Sequence, residues 1–146
     1  MQQTKTEDLT AQVHDFYAAY ADKLSSYAFN KLGTTFGFPF YAIADDLLAV
    51  VPSEAKLIEA FEGALDFYTS QEIAQAKERI DEIRQLTSRL VLVRVNWTYL
   101  DGEGRELYDA DYVYVLRVDD EGDLRLHVMV SINEAERVRE RLGGGA

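Results

Sequence analysis

Three runs rich in β-branched and aromatic residues, 89–100, 105–117 and 123–132, close the chain, parted only by Asp101-Gly102-Glu103-Gly104 and Asp119-Asp120-Glu121-Gly122. Connections this short join antiparallel neighbours, so a meander of three strands is expected. Pairing Leu100 with Arg105 across the first turn sets Val91, Val93, Val95 and Trp97 opposite Tyr114, Tyr112, Ala110 and Tyr108, all on one face. The other face then pairs Arg94 with Asp111 and Asn96 with Asp109, beside Leu92, Val113 and Val115. In the third strand a loop of Asp120-Glu121-Gly122, with Gly122 left-handed, puts Leu124, Leu126, Val128 and Val130 on the aromatic face and His127 outward. The opposite register would enclose Arg125 unpaired, at a cost of roughly several kcal/mol. A bulge partway along would turn His127 inward.

A sheet with one aromatic side must cover that side, and the first half of the chain supplies the cover. Val13, Phe16, Tyr17, Tyr20 and Leu24, continuing to Tyr27, recur at helical spacing over 6–24, with Thr4 and Glu7 in the spacing of a capping box. Ser25-Ser26 breaks the chain before a short second helix ending at Gly33. The aromatic segment 36–43 carries Pro39 and suits a short strand at the start or edge of a sheet. Asp45-Asp46 turns it into Leu47-Leu48-Ala49-Val50-Val51. Ser53 then offers an N-cap, with Glu54 in the first turn of a helix that places Leu57, Ile58, Phe61, Leu65 and Tyr68 on one face. In 73–87, Ile73, Ala76, Ile80 and Ile83 fit a helical period better than an alternating one. Asn133 can cap a last helix carrying Val138 and Leu142, stopped by Gly143-Gly144-Gly145; residues 1–6 and 143–146 are expected to be flexible.

At 146 residues and 47% hydrophobic content the chain suits one globular domain, 1–146. No Cys means no disulfide framework, thiolate zinc site or cysteine nucleophile. The net charge of −11 repels phosphate backbones, so nucleic acid is not an expected partner. No apolar run reaches membrane-spanning length and the N-terminus lacks a secretory stretch, which reads as cytoplasmic with no membrane partner. The sequence holds no phosphate loop, serine-hydrolase elbow or zinc helix, and its acid-rich turns lack the ordered ligand alternation of a calcium loop; no metal or cofactor is expected.

The segment His14-Asp15-Phe16-Tyr17-Ala18-Ala19-Tyr20-Ala21-Asp22, the triplet Phe38-Pro39-Phe40, and the closing pattern from Val93-Arg94-Val95-Asn96-Trp97 through 115–126 resemble the nuclear transport factor 2-like superfamily, specifically its SnoaL-like members. The likeness covers nearly the whole chain. It implies an α+β fold, with N-terminal helices packed on a strongly curved, mostly antiparallel sheet around a cone-shaped pocket. It implies a strand over 73–86, against the helical period, and there we follow the resemblance. It also implies a homodimer formed through the sheet.

The superfamily hosts isomerases, dehydratases, hydrolases and cyclases, so residues must decide between them. Against the ketosteroid isomerases, Tyr17 matches the tyrosine donor of the first helix, the buried-acid position of the penultimate strand is Tyr114, and Asp45 and Asp46 fall several residues beyond the base. Only His14 and His127 stand for the paired histidines of scytalone dehydratase, and Arg94 with Asp111 reads as a cross-strand ion pair. Tyr17, Tyr20, Phe40, Phe61, Trp97, Tyr112 and Tyr114 are the expected ligand-binding positions. The same rings would fill an ordinary core, but so many buried tyrosines need partners for their hydroxyls. Three functions are open: a module that binds a small, partly apolar molecule, a cofactor-independent isomerase, dehydratase or polyketide-cyclase-like enzyme, or, if the cone is filled by its own side chains, a pure interaction scaffold. In the second, Tyr17 or Tyr114 donates a proton and His127 or Asp45 is the base.

Overall fold

Thr10 opens the first helix where the Asp8 carboxylate accepts its backbone N–H at 2.9 Å and its hydroxyl at 2.6 Å. The computed structural model describes residues 8–143, so the Thr4–Glu7 capping box and the tail beyond Gly143 lie outside the described residues. The elements run α1 (Thr10–Ser25), a 3₁₀ segment (Phe29–Thr34), β1 (Phe36–Ala44), β2 (Leu47–Val51), α2 (Glu54–Ser70), β3 (Gln75–Gln85), β4 (Leu90–Leu100), β5 (Glu106–Val118), β6 (Leu124–Ser131) and α3 (Glu134–Gly143). One mixed sheet orders them β2-β1-β6-β5-β4-β3, antiparallel except where β1 meets β6. No described helix is long and apolar enough to cross a membrane.

β3 is a strand, as the resemblance implies and the helical period does not. Its alternate residues Ala76, Ile80 and Ile83 turn toward the core, and a register shift between Ile80 and Glu82 accounts for their uneven spacing. That bulge imitates a helical repeat. Ser25 ties α1 to this strand, its hydroxyl accepting from the Ala76 N–H at 3.0 Å and donating to the Ala76 carbonyl at 3.2 Å.

The β4–β5 pairing differs from the expected one by two residues. Val93 faces Tyr114, Val95 faces Tyr112, Trp97 faces Ala110 and Tyr99 faces Tyr108. The turn closes one residue later than expected, on Asp101 N–H to the Arg105 carbonyl, and a bulge beyond Tyr99 adds a second step. Two single shifts restore parity, so the aromatic face survives while its partners change. Arg94 therefore lies opposite Val113, not Asp111, and Asn96 lies opposite Asp111.

In β6 the expected register holds only for its first half. Leu124 and Leu126 are buried, but Leu126 pairs with Leu116 and Val128 with Val115, leaving His127 as the bulged residue. Val128 and Val130 consequently leave the aromatic side, and Met129 enters it opposite Tyr114. Pro39 is accommodated in β1, which is flanked on both sides, because residues 37–40 loop past His127 where the β1–β6 ladder is interrupted.

Ser53 caps α2 by accepting from Lys56 N–H at 3.3 Å. Leu57 and Tyr68 are buried and Phe61 packs against the core, whereas Ile58 and Leu65 stand at the surface, so the helix's inner stripe is narrower than the spacing suggests. Val138 packs against the core from α3, and Leu142 is exposed. Asn133 stands before α3, but its side chain is spent on β5: Oδ1 accepts from Asp111 N–H at 2.8 Å and Nδ2 donates to Asp111 Oδ2 at 3.0 Å.

Candidate functional site

Alternation along curved strands aims the odd-numbered rings of β4 and the even-numbered rings of β5 at one hollow. Trp97, Tyr99, Tyr112 and Tyr114 come from these strands, Met129 from the bulged half of β6, and Phe36, Phe40 and Ala42 from β1. Leu47, Ala49 and Val51 of β2 and Leu57, Ala60, Phe61, Ala64, Phe67 and Tyr68 of α2 form the opposite wall, with Tyr20 and Leu24 of α1 above. The cavity holds about 390 Å³, which suits a small molecule.

Six of the seven positions expected to bind a ligand line this cavity: Tyr20, Phe40, Phe61, Trp97, Tyr112 and Tyr114. Tyr17 does not. It is fully buried behind the wall, its ring 5.3 Å from Tyr114 and 6.4 Å from Trp97, and its hydroxyl has no partner among the described residues. Burial pushes its phenol well above the usual range. Asp45 and Asp46 are exposed in the β1–β2 turn and His14 is exposed on α1. His127 is half-buried on the sheet's outer side, its ring against the Gly37 backbone and its Nδ1 at 3.1 Å from the Pro39 carbonyl. Neither suggested base touches the cavity, because the bulge at His127 swings Met129 inward instead of the imidazole.

The acid that does enter is Glu134, the first residue of α3, which the sequence reading missed. Its Oε1 accepts the Tyr112 hydroxyl and its Oε2 the Tyr108 hydroxyl, the latter at 3.3 Å. Desolvation raises the Glu134 carboxyl above its ordinary value, against the two phenol hydrogen bonds that lower it. Farther along the wall Trp97 Nε1 donates to the Tyr114 hydroxyl at 2.7 Å, which leaves Tyr114's own proton free to point elsewhere. The signal for Glu134 lay in the surplus of buried tyrosines. Their hydroxyls required an acceptor, and a carboxyl supplies two.

A polar network on the outer face holds Glu134 in place. Asn96, almost fully buried, donates through Nδ2 to Asp109 at 2.9 Å and to Asp111 at 3.0 Å. Asp111 carries Asn133, and Asp109 receives Arg137 at 2.7 Å. α3 thus lies against the part of β5 that extends beyond β6, and its first residue is directed to the cavity side. The hydrogen bonds from Asn96 and Asn133 hold the Asp111 carboxyl below its usual range. Among the described residues no group of three or more His, Asp or Glu is gathered to hold a metal ion.

Residues 7–134 match the family described as NTF2-like protein (DUF6841). No curated protein matches the chain in sequence. Among solved structures, it is similar to a domain of unknown function with a cystatin-like fold from Nostoc punctiforme, at TM-score 0.70 and 16% identity over 97% of this chain and 86% of that one. A ketosteroid isomerase-like protein from Erwinia carotovora atroseptica gives TM-score 0.66 at 12% identity, covering 86% and 96%. ActVI-ORFA from Streptomyces coelicolor gives 0.64 at 18%, covering 84% and 95%. At these identities the likeness is one of fold.

Proposed function

The chain belongs to the NTF2-like family DUF6841, and from its cavity we propose that the protein binds a small, largely apolar molecule held at one end by Glu134 and the tyrosine hydroxyls. The observation that carries this reading is the combination of about 390 Å³ of space with a wall of rings and a single carboxyl. Apolar walls supply affinity in such a site and a few polar groups fix orientation. Trp97 is the chain's one tryptophan, so its indole N–H signal reports directly on the cavity wall. Screening small flat compounds against that signal and against melting temperature is the test. Compounds that shift both support the proposal, and a broad screen that shifts neither overturns it.

Catalysis is the second reading, favoured by the raised Glu134 carboxyl. A carboxyl raised by desolvation holds and passes on a proton more readily than an exposed one, and Tyr114, polarised by the Trp97 bond, supports charge on a ligand oxygen. In this reading Glu134 takes the role expected of Asp45 or His127. Turnover by the wild type that Glu134→Gln abolishes while binding persists is the expected result; binding without turnover leaves the protein a binding module. The ketosteroid isomerase-like neighbour lends this reading a precedent in fold only.

The proposal includes a homodimer through the sheet's outer face. Two apolar rows cross it from β2 to β5: Leu48, Ile43, Val130 and Val113, then Val50, Tyr41, Val128 and Val115. Leu48 is 74% exposed and Val50 54%. Rows of this extent on an open sheet face match a second copy of themselves.

A further inference from the structure

The cavity's polar equipment is of one sign. Among the described residues no Lys, Arg or His lines it, and Glu134 is the one carboxyl that does. Glu134 makes no ion pair among the described residues, and its two hydrogen bonds come from neutral phenols. A carboxylate accepts about four hydrogen bonds, so capacity remains on the side that opens into the cavity. Desolvated carboxylates in proteins are ordinarily paired with a cation, and here none of the described residues provides one. We infer that the ligand provides it: a protonated amine on an apolar, flat body, with the ammonium group against Glu134 and the body among Trp97, Tyr114 and Phe61.

This inference rests on the binding reading above and narrows it to a ligand class. Electron-rich rings of Tyr20, Trp97, Tyr112 and Tyr114 attract a nearby ammonium through their quadrupoles. The chain's net charge of −11 draws cations toward the site and turns anions away. Desolvation already resists the ionised form of Glu134, and a bound cation relieves that resistance. A carboxylate or phosphate ligand finds no counter-charge among the described residues of the wall.

Three probes of nearly equal shape separate the alternatives: phenethylammonium, phenethyl alcohol and 3-phenylpropanoate, each titrated against the Trp97 indole N–H signal. The expected order is amine above alcohol by about tenfold or more, with the carboxylate weakest. Glu134→Gln keeps a carbonyl acceptor for Tyr112 and should erase the advantage of the amine over the alcohol. Alcohol binding as tight as amine, or amine binding unchanged in Glu134→Gln, overturns the charge inference and leaves the cavity reading standing. Failure of all three to perturb Trp97 at millimolar concentration overturns both.

Discussion

Two buried tyrosines of the same ring cluster make opposite predictions. Tyr114 accepts the Trp97 indole N–H, so Tyr114→Phe strands a buried donor and is expected to cost about 1–3 kcal/mol in chemical denaturation. Tyr17 has a buried hydroxyl with no partner among the described residues, so Tyr17→Phe removes a desolvated polar atom and should be neutral or stabilise by about 1 kcal/mol. Equal losses in both would show that the hydrogen-bond assignment is wrong. Glu134 gives a third prediction, through pH. Its folded value is raised, so the folded state holds the proton more tightly than the unfolded chain does. Stability therefore falls as pH rises from the ordinary value of 4.5 through the raised one, and Glu134→Gln should flatten that fall in melting curves taken on either side. Tyr114 was legible in the sequence because strand alternation places it on the inner side, and Tyr17 because helical spacing does. Glu134 was not, because an acid in a first helical turn also serves a solvated helix end. Nothing local distinguishes the two uses.

Elements were legible where a single period ran unbroken and obscure where a bulge changed it. β4 and β5 kept their aromatic face because two shifts cancelled, while β6 exchanged Val128 and Val130 for Met129 after one shift. β3 misled for the same reason, its bulge spacing apolar residues as a helix would. The bulge at His127 has a physical support that can be tested. Gly37 lies so close to the imidazole that an added Cβ would overlap the ring. Gly37→Ala is expected to destabilise by about 1–3 kcal/mol, and the loss should shrink when His127→Ala is combined with it, since the two sites share one space. Additive losses would place the strain elsewhere. α3 depends similarly on Asn133, whose side chain makes both bonds to Asp111. Asn133→Ala should cost about 1–3 kcal/mol and speed hydrogen exchange in α3 ahead of the sheet. Unchanged exchange there would leave the outer network without its positioning role.

At the scale of the whole molecule, among the described residues α1 and α2 cover the sheet's concave face, while its convex face carries apolar rows on β2, β1, β6 and β5 beside a polar network. The concave face encloses the cavity. The convex face carries apolar rows that end at β4 in Leu92 and Arg94, which lie beside Arg84 and Glu82 of β3. A patch with an apolar centre and a charged margin has the anatomy of a protein interface, and a two-fold operation lets the same patch meet itself. The sequence placed Val113 and Val115 outward but kept Val128 and Val130 inward, so it saw half of this patch; the β6 bulge supplied the other half. Val113 and Val128 sit mid-sheet on adjacent strands, and neither lines the cavity. Val113→Glu and Val128→Lys should therefore each split a dimer while leaving the Trp97 signal and ligand titrations of the cavity in place. Light scattering of the wild type is expected to give twice the chain mass, and of each variant the chain mass itself. A second copy burying these rows would also link stability to protein concentration, so the wild type's melting temperature should rise on concentration and the variants' should not. A wild type of single-chain mass at all concentrations would remove the dimer and leave the cavity untouched.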